Sequence, residues 1–214
     1  MSVLPDWPVL LAYTGAVVLL TLTPGPDMAL YVGRTLAHGR AAGFAAFLGT
    51  AAGLVCHAVF AAVGLSALVA ASAAAFTALK IAGALYLLFL AVQAVRKGSA
   101  FAPAEGAGEA RPSLARSFLT GFLVNVLNPK IVLFFLTFLP QFVDAADPQA
   151  AAKLFVLGLW YIPVTLPPTI AMILGASALA AALKARPAIM RALDWLFAGV
   201  MGAFAVRLLA TRTG

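Results

Sequence analysis

Apolar residues run along this chain in long stretches. They show neither the strict alternation of a half-buried strand nor the one-sided stripe of a surface helix. Six stretches stand out, from about 8 to 32, 41 to 69, 76 to 95, 114 to 139, 151 to 183 and 189 to 210. Each suits a bilayer crossing, which takes about 20 apolar residues as a helix. Barrel strands would be about 10 residues long and alternate in polarity. Open sheets would leave their backbone unsatisfied in lipid. The pattern predicts an all-α integral membrane protein of six hydrophobic helices. Three stretches carry interruptions: the first at Pro24-Gly25-Pro26, the fourth at Asn128-Pro129, and the fifth at Pro163 and Pro167-Pro168.

Composition narrows the picture. Of 214 residues, 64% are hydrophobic and 10% charged, with mean hydropathy +1.04. Soluble domains run at about 45–50% apolar and about 25% charged. A soluble enzyme, a disordered linker and a free nucleic-acid binder are therefore excluded, and nucleic acid is not an expected partner. The net charge of +7 follows from retention of Lys and Arg on the cytoplasmic side of a membrane. Arg34, His38 and Arg40 follow the first stretch. Arg96, Lys97, Arg111 and Arg116, mixed with Glu105 and Glu109, follow the third, and Lys184, Arg186 and Arg191 follow the fifth. Residues 70–75 carry no charge, and the loop after the fourth stretch has Asp144, Asp147 and Lys153. The positive-inside rule then places both termini outside. A re-entrant first stretch would instead move the N-terminus inside. Residues 1–7 hold Asp6 and no Lys or Arg, so a cleaved signal peptide is not expected. With Cys56 the single cysteine, no internal disulfide forms.

Residues 98–112, rich in Gly, Ala and Pro, read as a flexible linker within a single transmembrane domain, between a first half (1–97) and a second (113–214). Each half opens with an apolar span holding a glycine, Gly15 or Gly121, and a proline, Pro24 or Pro129, eight or nine residues later. Three spans per half force opposite orientations, the inverted-repeat arrangement of many secondary transporters.

The breaks concentrate the candidate chemistry. No helix passes Thr23-Pro24-Gly25-Pro26-Asp27 intact, because each proline removes a donor and Gly25 tolerates unusual torsions. Freed backbone groups in hydrocarbon cost several kcal/mol each unless they line a polar cavity. The alternative is a helix that ends near Thr23, followed by a wide loop. A carboxylate such as Asp27 at helix centre costs on the order of 2.5–3.5 kcal/mol. It either contacts a substrate ammonium or takes up a proton, or else it caps a half-helix at the interface. In the fourth stretch Asn125 and Asn128 share a helix face, ahead of Pro129 and Lys130. Their amides suit an amino-acid zwitterion or the broken backbone. Lys130 pairs with a carboxylate such as Asp27, or snorkels to the interface. Thr23, Pro24, Gly25, Pro26, Asp27, Asn125, Asn128, Pro129 and Lys130 thus form the expected substrate and proton pathway.

Gly39 with Gly43, and Gly49 with Gly53, have the spacing that lets helices approach closely. Gly83 joins them as a packing glycine beside Lys80, an expected interfacial anchor, and Tyr86. His57 is either a proton relay or a buried, hydrogen-bonded side chain. Trp7, Trp160, Tyr161 and Trp195 near segment ends suit an aromatic belt.

The strings Thr23-Pro24-Gly25-Pro26-Asp27, Lys80-Ile81-Ala82-Gly83-Ala84-Leu85-Tyr86-Leu87, Gly121-Phe122 through Asn125 to Asn128-Pro129-Lys130, and Phe138-Leu139-Pro140-Gln141-Phe142 resemble the LysE/RhtB family of amino-acid exporters, in the right order over nearly the whole chain. The resemblance implies a multi-pass bacterial inner-membrane protein that exports amino acids or their derivatives, driven by the proton gradient. The expected partners are a small-molecule substrate and the lipid bilayer, with a homodimer left open. Two histidines and one cysteine argue against a metal site, and no cofactor is expected. No H-E-x-x-H helix or G-x-S-x-G elbow points to an enzyme. Efflux of another small solute or of a metal ion, and a non-transporting membrane scaffold, are the alternative readings.

Overall fold

Prolines and glycines divide the helices much as their lost donors and missing side chains require. The structure, a computed structural model, describes residues 5–23, 25–71, 77, 78, 81, 84, 85, 88, 89, 91–93, 95, 96, 112–144, 147–185 and 187–210. All regular structure among these residues is helical. Helix α1 (Trp7–Leu22) opens with Pro8 in its first turn, where the missing N–H has no partner to lose. It stops short of two prolines, and α2 (Pro26–His38) starts at the second. A single residue, Gly39 at φ 89°, separates α2 from α3 (Arg40–Ala71), in a conformation that suits a residue without Cβ. Ser113 caps α4 (Leu114–Val126) by accepting from the Arg116 amide at 3.1 Å. Asn128 caps α5 (Pro129–Leu133), which continues as a π-helical turn (Phe134–Phe138) and a 3₁₀ turn (Leu139–Phe142). Helices α6 (Ala150–Leu174), α7 (Ala176–Ala185) and α8 (Pro187–Ala210) complete the chain.

Among the described residues two helices, in α3 and α6, are long and apolar enough to cross a membrane. Two bent pairs, α1 with α2 at 51° and Leu114–Val126 with Pro129–Phe142 at 49°, raise that to four if each pair is one span. Part of the third apolar stretch lies outside the described residues, including Lys80, Gly83 and Tyr86, as do Pro24 and most of the linker.

Three expectations need correction. The fifth stretch is not broken at its prolines: α6 runs unbroken through Pro163, Pro167 and Pro168 and ends before Gly175. In a packed membrane helix, hydroxyls and neighbouring chains re-satisfy what proline frees. Trp160 and Tyr161 consequently sit in mid-helix, not at an interface. Trp160 donates to Thr14 Oγ1 on α1, and Tyr161 is buried among phenylalanines. Arg34 and His38, read as loop residues, are helical, because Gly39 alone makes the turn. Gly39, expected as a packing glycine, is the residue that makes this turn.

The other small residues pack. A Cβ on Gly121 would lie 1.9 Å from Ala46 O, and one on Gly49 would lie 1.9 Å from Phe118 O, so the α3 and α4 backbones touch. Gly43 leaves room for Thr35 on α2, Gly53 for the Asn125 amide, and Gly158 on α6 for Ala58 on α3. Helix α3 thereby lies between α4 and α6. The two broken segments cross in opposite sense: α1 meets the turns that follow the second break, and α2 meets α4, which precedes it. Arg34 on α2 reaches Thr120 on α4, and Arg40 at the start of α3 reaches Leu174 O at the end of α6.

Candidate functional site

Each proline break orphans a carbonyl four residues upstream, and the fold supplies each orphan with a donor. Pro24 has no N–H for Leu20 O. Lys130 Nζ, from the other broken segment, donates to Leu20 O at 2.7 Å and to Thr23 O at 3.0 Å. The Thr23 hydroxyl turns back to Leu19 O at 2.8 Å. In the second break Pro129 deprives Asn125 O. That oxygen instead accepts from the Asn128 amide at 3.0 Å and lies 3.3 Å from His57 Nε2 on α3.

The side chains of the two breaks also meet. Asp27 Oδ2 accepts from Asn128 Nδ2 at 3.1 Å and, more weakly, from Asn125 Nδ2 at 3.4 Å. Asn128 spends its other amide atom on the Lys130 backbone N–H at 3.1 Å, so one residue caps α5 and holds Asp27. Asp27 Oδ1 and Asn125 Oδ1 are buried and have no hydrogen-bond partner among the described residues. Both are acceptors without a donor.

These groups line one pocket of about 40 Å³ between the breaks, room for about three water molecules. Thr23, Gly25, Asp27, Asn125, Asn128 and Lys130 all line it; Pro26 and Pro129 open the helices that carry Asp27 and Lys130. Sequence reasoning missed Thr50, Thr165 and Thr169, which add hydroxyls, and Met28, Leu54, Ile131, Tyr161 and Met172, which make an apolar side. Thr165 and Thr169 are four apart around Pro167-Pro168, a spacing that puts both on one helix face and was a usable signal. Toward the start of α1, Tyr13, Phe134, Phe138, Phe142 and Tyr161 close the space with ring centroids 4.8–5.9 Å apart.

Two local alternatives are thereby decided. Asp27 is not the cap of α2; that position is Gly25, whose φ of −170° is extended backbone open to any residue. Lys130 reaches the frayed end of α1 and does not snorkel to the interface. Among the described residues no three His, Cys, Asp or Glu side chains gather as metal ligands.

Comparison with known proteins places the chain among membrane proteins. The chain is 37% identical to the uncharacterized membrane protein YrhP of Bacillus subtilis over 142 residues, 63% of this chain and 68% of that one. It is 35% identical to a homoserine/homoserine lactone efflux protein of Salmonella typhimurium over 153 residues, 72% and 73% of the two chains. It is 30% identical to a leucine efflux protein of Klebsiella pneumoniae over 155 residues, 70% of each. No solved structure matches it. The family model described as LysE type translocator matches residues 18–212, and the chain belongs to that family of membrane translocators.

Proposed function

We propose that this protein exports amino acids or their derivatives from the cytoplasm across the bacterial inner membrane, coupled to the proton gradient. The observation that carries the reading is the meeting of two helix breaks at one carboxylate, Asp27, held by Asn125 and Asn128 beside an apolar wall. Broken helices that face each other at mid-bilayer are how secondary transporters expose backbone and charge to a solute. The pocket's polar side suits the ammonium and carboxylate common to amino acids, and its apolar side suits a variable side chain. Relatives named for homoserine and for leucine efflux support the same substrate class.

In this reading the chain is a single transporter domain of six helices in two inverted halves, 1–97 and 113–214, joined by the linker 98–112. The opposed crossing of the two broken segments supports the inversion. The ends tied by Arg34 and Arg40 face the cytoplasm, as the positive-inside rule requires. Exposed Leu48, Val59, Phe60 and Val63 on α3 face lipid.

A zwitterion carries no net charge, so the membrane potential alone cannot drive it; coupling to a proton gains about 2.3 kcal/mol per 100 mV. The test is a whole-cell efflux screen across amino acids and homoserine analogues, loaded as labelled dipeptides that are hydrolysed inside. Expression should speed the loss of one or a few of them. Asp27→Ala should abolish that efflux while the protein still inserts; undiminished coupled flux would remove Asp27 from the mechanism. No effect of expression on any amino acid would favour a scaffold.

A further inference from the structure

The frayed end of α1 turns two carbonyls toward the Lys130 ammonium. Leu20 O and Thr23 O converge there, the first stripped of its helical donor by Pro24. A helix C-terminus carries about half a negative charge, and in transporters with broken helices such ends and their unwound carbonyls hold the coupling sodium ion or proton. In this chain the occupant is covalently attached: the Lys130 ammonium donates to both carbonyls, at 2.7 and 3.0 Å, across the gap between the two breaks. Gly25 lies against it, and a Cβ there would sit 3.5 Å from Nζ, in ordinary contact.

We infer that Lys130 is a tethered cation that fills the coupling-ion site of this protein, so that transport exchanges protons at Lys130 Nζ and does not use sodium. This rests on the exporter reading for its transport half, and on the carbonyl geometry alone for its binding half. The step is a simple one: the ammonium gives a proton to water in the pocket and becomes a neutral amine, and the reverse step takes a proton from the opposite side. The titratable groups that face it are Asp27 and Tyr31 on α2 and Tyr161 on α6, with His57 on α3 behind the Asn125 carbonyl. Asp27 is the anion among them. While Nζ is charged, it and Asp27 form a neutral site. Once Nζ is neutral, Asp27 is left with a charge to balance and with Oδ1 lacking a donor. The ammonium of a substrate supplies both. Proton and substrate then compete for one carboxylate, which is the condition for antiport.

The test begins with thermal unfolding of the purified protein in detergent, at constant ionic strength, in sodium, methylammonium or choline chloride. The wild type should melt at the same temperature in all three. Lys130→Ala should melt several degrees lower in choline and recover in methylammonium, a small cation that fits the vacated gap, whereas Lys130→Met, which fills the volume without charge, should not recover. A Lys130→Ala protein that melts like the wild type, that choline rescues as well as methylammonium does, or that stays unfolded in methylammonium overturns the cation site. In proteoliposomes of the wild type, with leucine and homoserine as probes, a pH gradient should drive uphill movement and a sodium gradient should not. Sodium-driven movement overturns the proposal. Absence of flux under every gradient would instead sink the exporter reading and leave the unfolding result to stand or fall by itself.

Discussion

At the residue scale, the site is a set of substitutes for backbone donors that proline took away. Asn128 does the most with one side chain. Its amide oxygen caps α5 and its amide nitrogen holds Asp27. Removing a cap costs about 1 kcal/mol, and a hydrogen bond to a charged group is worth about 1.5–3 kcal/mol. Asn128→Ala should therefore lower stability in detergent by about 2–4 kcal/mol and abolish efflux. Asn128→Asp keeps an acceptor for the Lys130 amide but sets a second carboxylate against Asp27. It should lose efflux and be at least as unstable as Asn128→Ala, because the donor to Asp27 is lost and like charges meet in a buried site; a variant as stable as the wild type would argue against the dual role. His57 belongs to the same scheme: its Nε2 lies beside the carbonyl that Pro129 orphans, a structural task that neither a lone histidine nor its neighbours in the sequence disclose.

At the scale of elements, close helix contact depends on the glycines that lack any room for a side chain. Gly121→Ala would drive Cβ into the Ala46 carbonyl, whereas Gly15 on α1 has nothing within 4 Å. Overpacking of this kind costs about 1–3 kcal/mol or more, so Gly121→Ala should melt well below the wild type. Gly15→Ala should match the wild type or exceed it slightly, through helix propensity. Comparable melting of the two would show that α3 and α4 separate without cost.

The start of α6 offers a pH-dependent case outside the membrane. Asp147 accepts from the Gln149 amide at 2.8 Å and pairs with Lys153. The hydrogen bond from Lys153, followed by that from the Gln149 backbone, holds its carboxyl below the ordinary carboxylate range. Because the folded value is depressed, its contribution is present above the unfolded value and disappears as pH falls through the folded one. Asp147→Ala should lower the melting temperature slightly at neutral pH and leave it unchanged in strong acid; an equal deficit at both would assign the effect to something other than charge.

At the scale of the whole molecule, two kinked segments crossing in opposite sense make one pocket, shut toward the start of α1 by an aromatic stack. With room for about three waters, the pocket is smaller than an amino acid, so the proposed export requires it to widen. Thr169, buried at 1% exposure on the pocket wall, reports that opening. In a protein carrying Cys56→Ser, Thr169→Cys should react slowly with a water-soluble maleimide, and more slowly when the exported solute is present in excess. Reaction as fast as at an exposed position such as Leu174→Cys, at the end of α6, would mean that the pocket stands open.

Helicity, membrane residence and the places where helices one and four break were legible from composition and from the positions of proline, because these depend on local chemistry: a missing N–H, a run of apolar side chains, a carboxylate in hydrocarbon. The three prolines of α6 show where such reading stops. The same lost donors leave that helix unbroken, since whether a freed carbonyl finds a partner depends on its neighbours in space. Likewise the sequence named Asp27, Asn125, Asn128 and Lys130 but left open which would meet. Only the tertiary structure set the lysine on the end of α1, put Asp27 between two amides and brought Thr165, Thr169 and Tyr161 to the same pocket. Those pairings span about a hundred residues, with |i−j| of 101 between Asp27 and Asn128. Contacts so distant along the chain are decided by how whole helices pack, which no local pattern encodes.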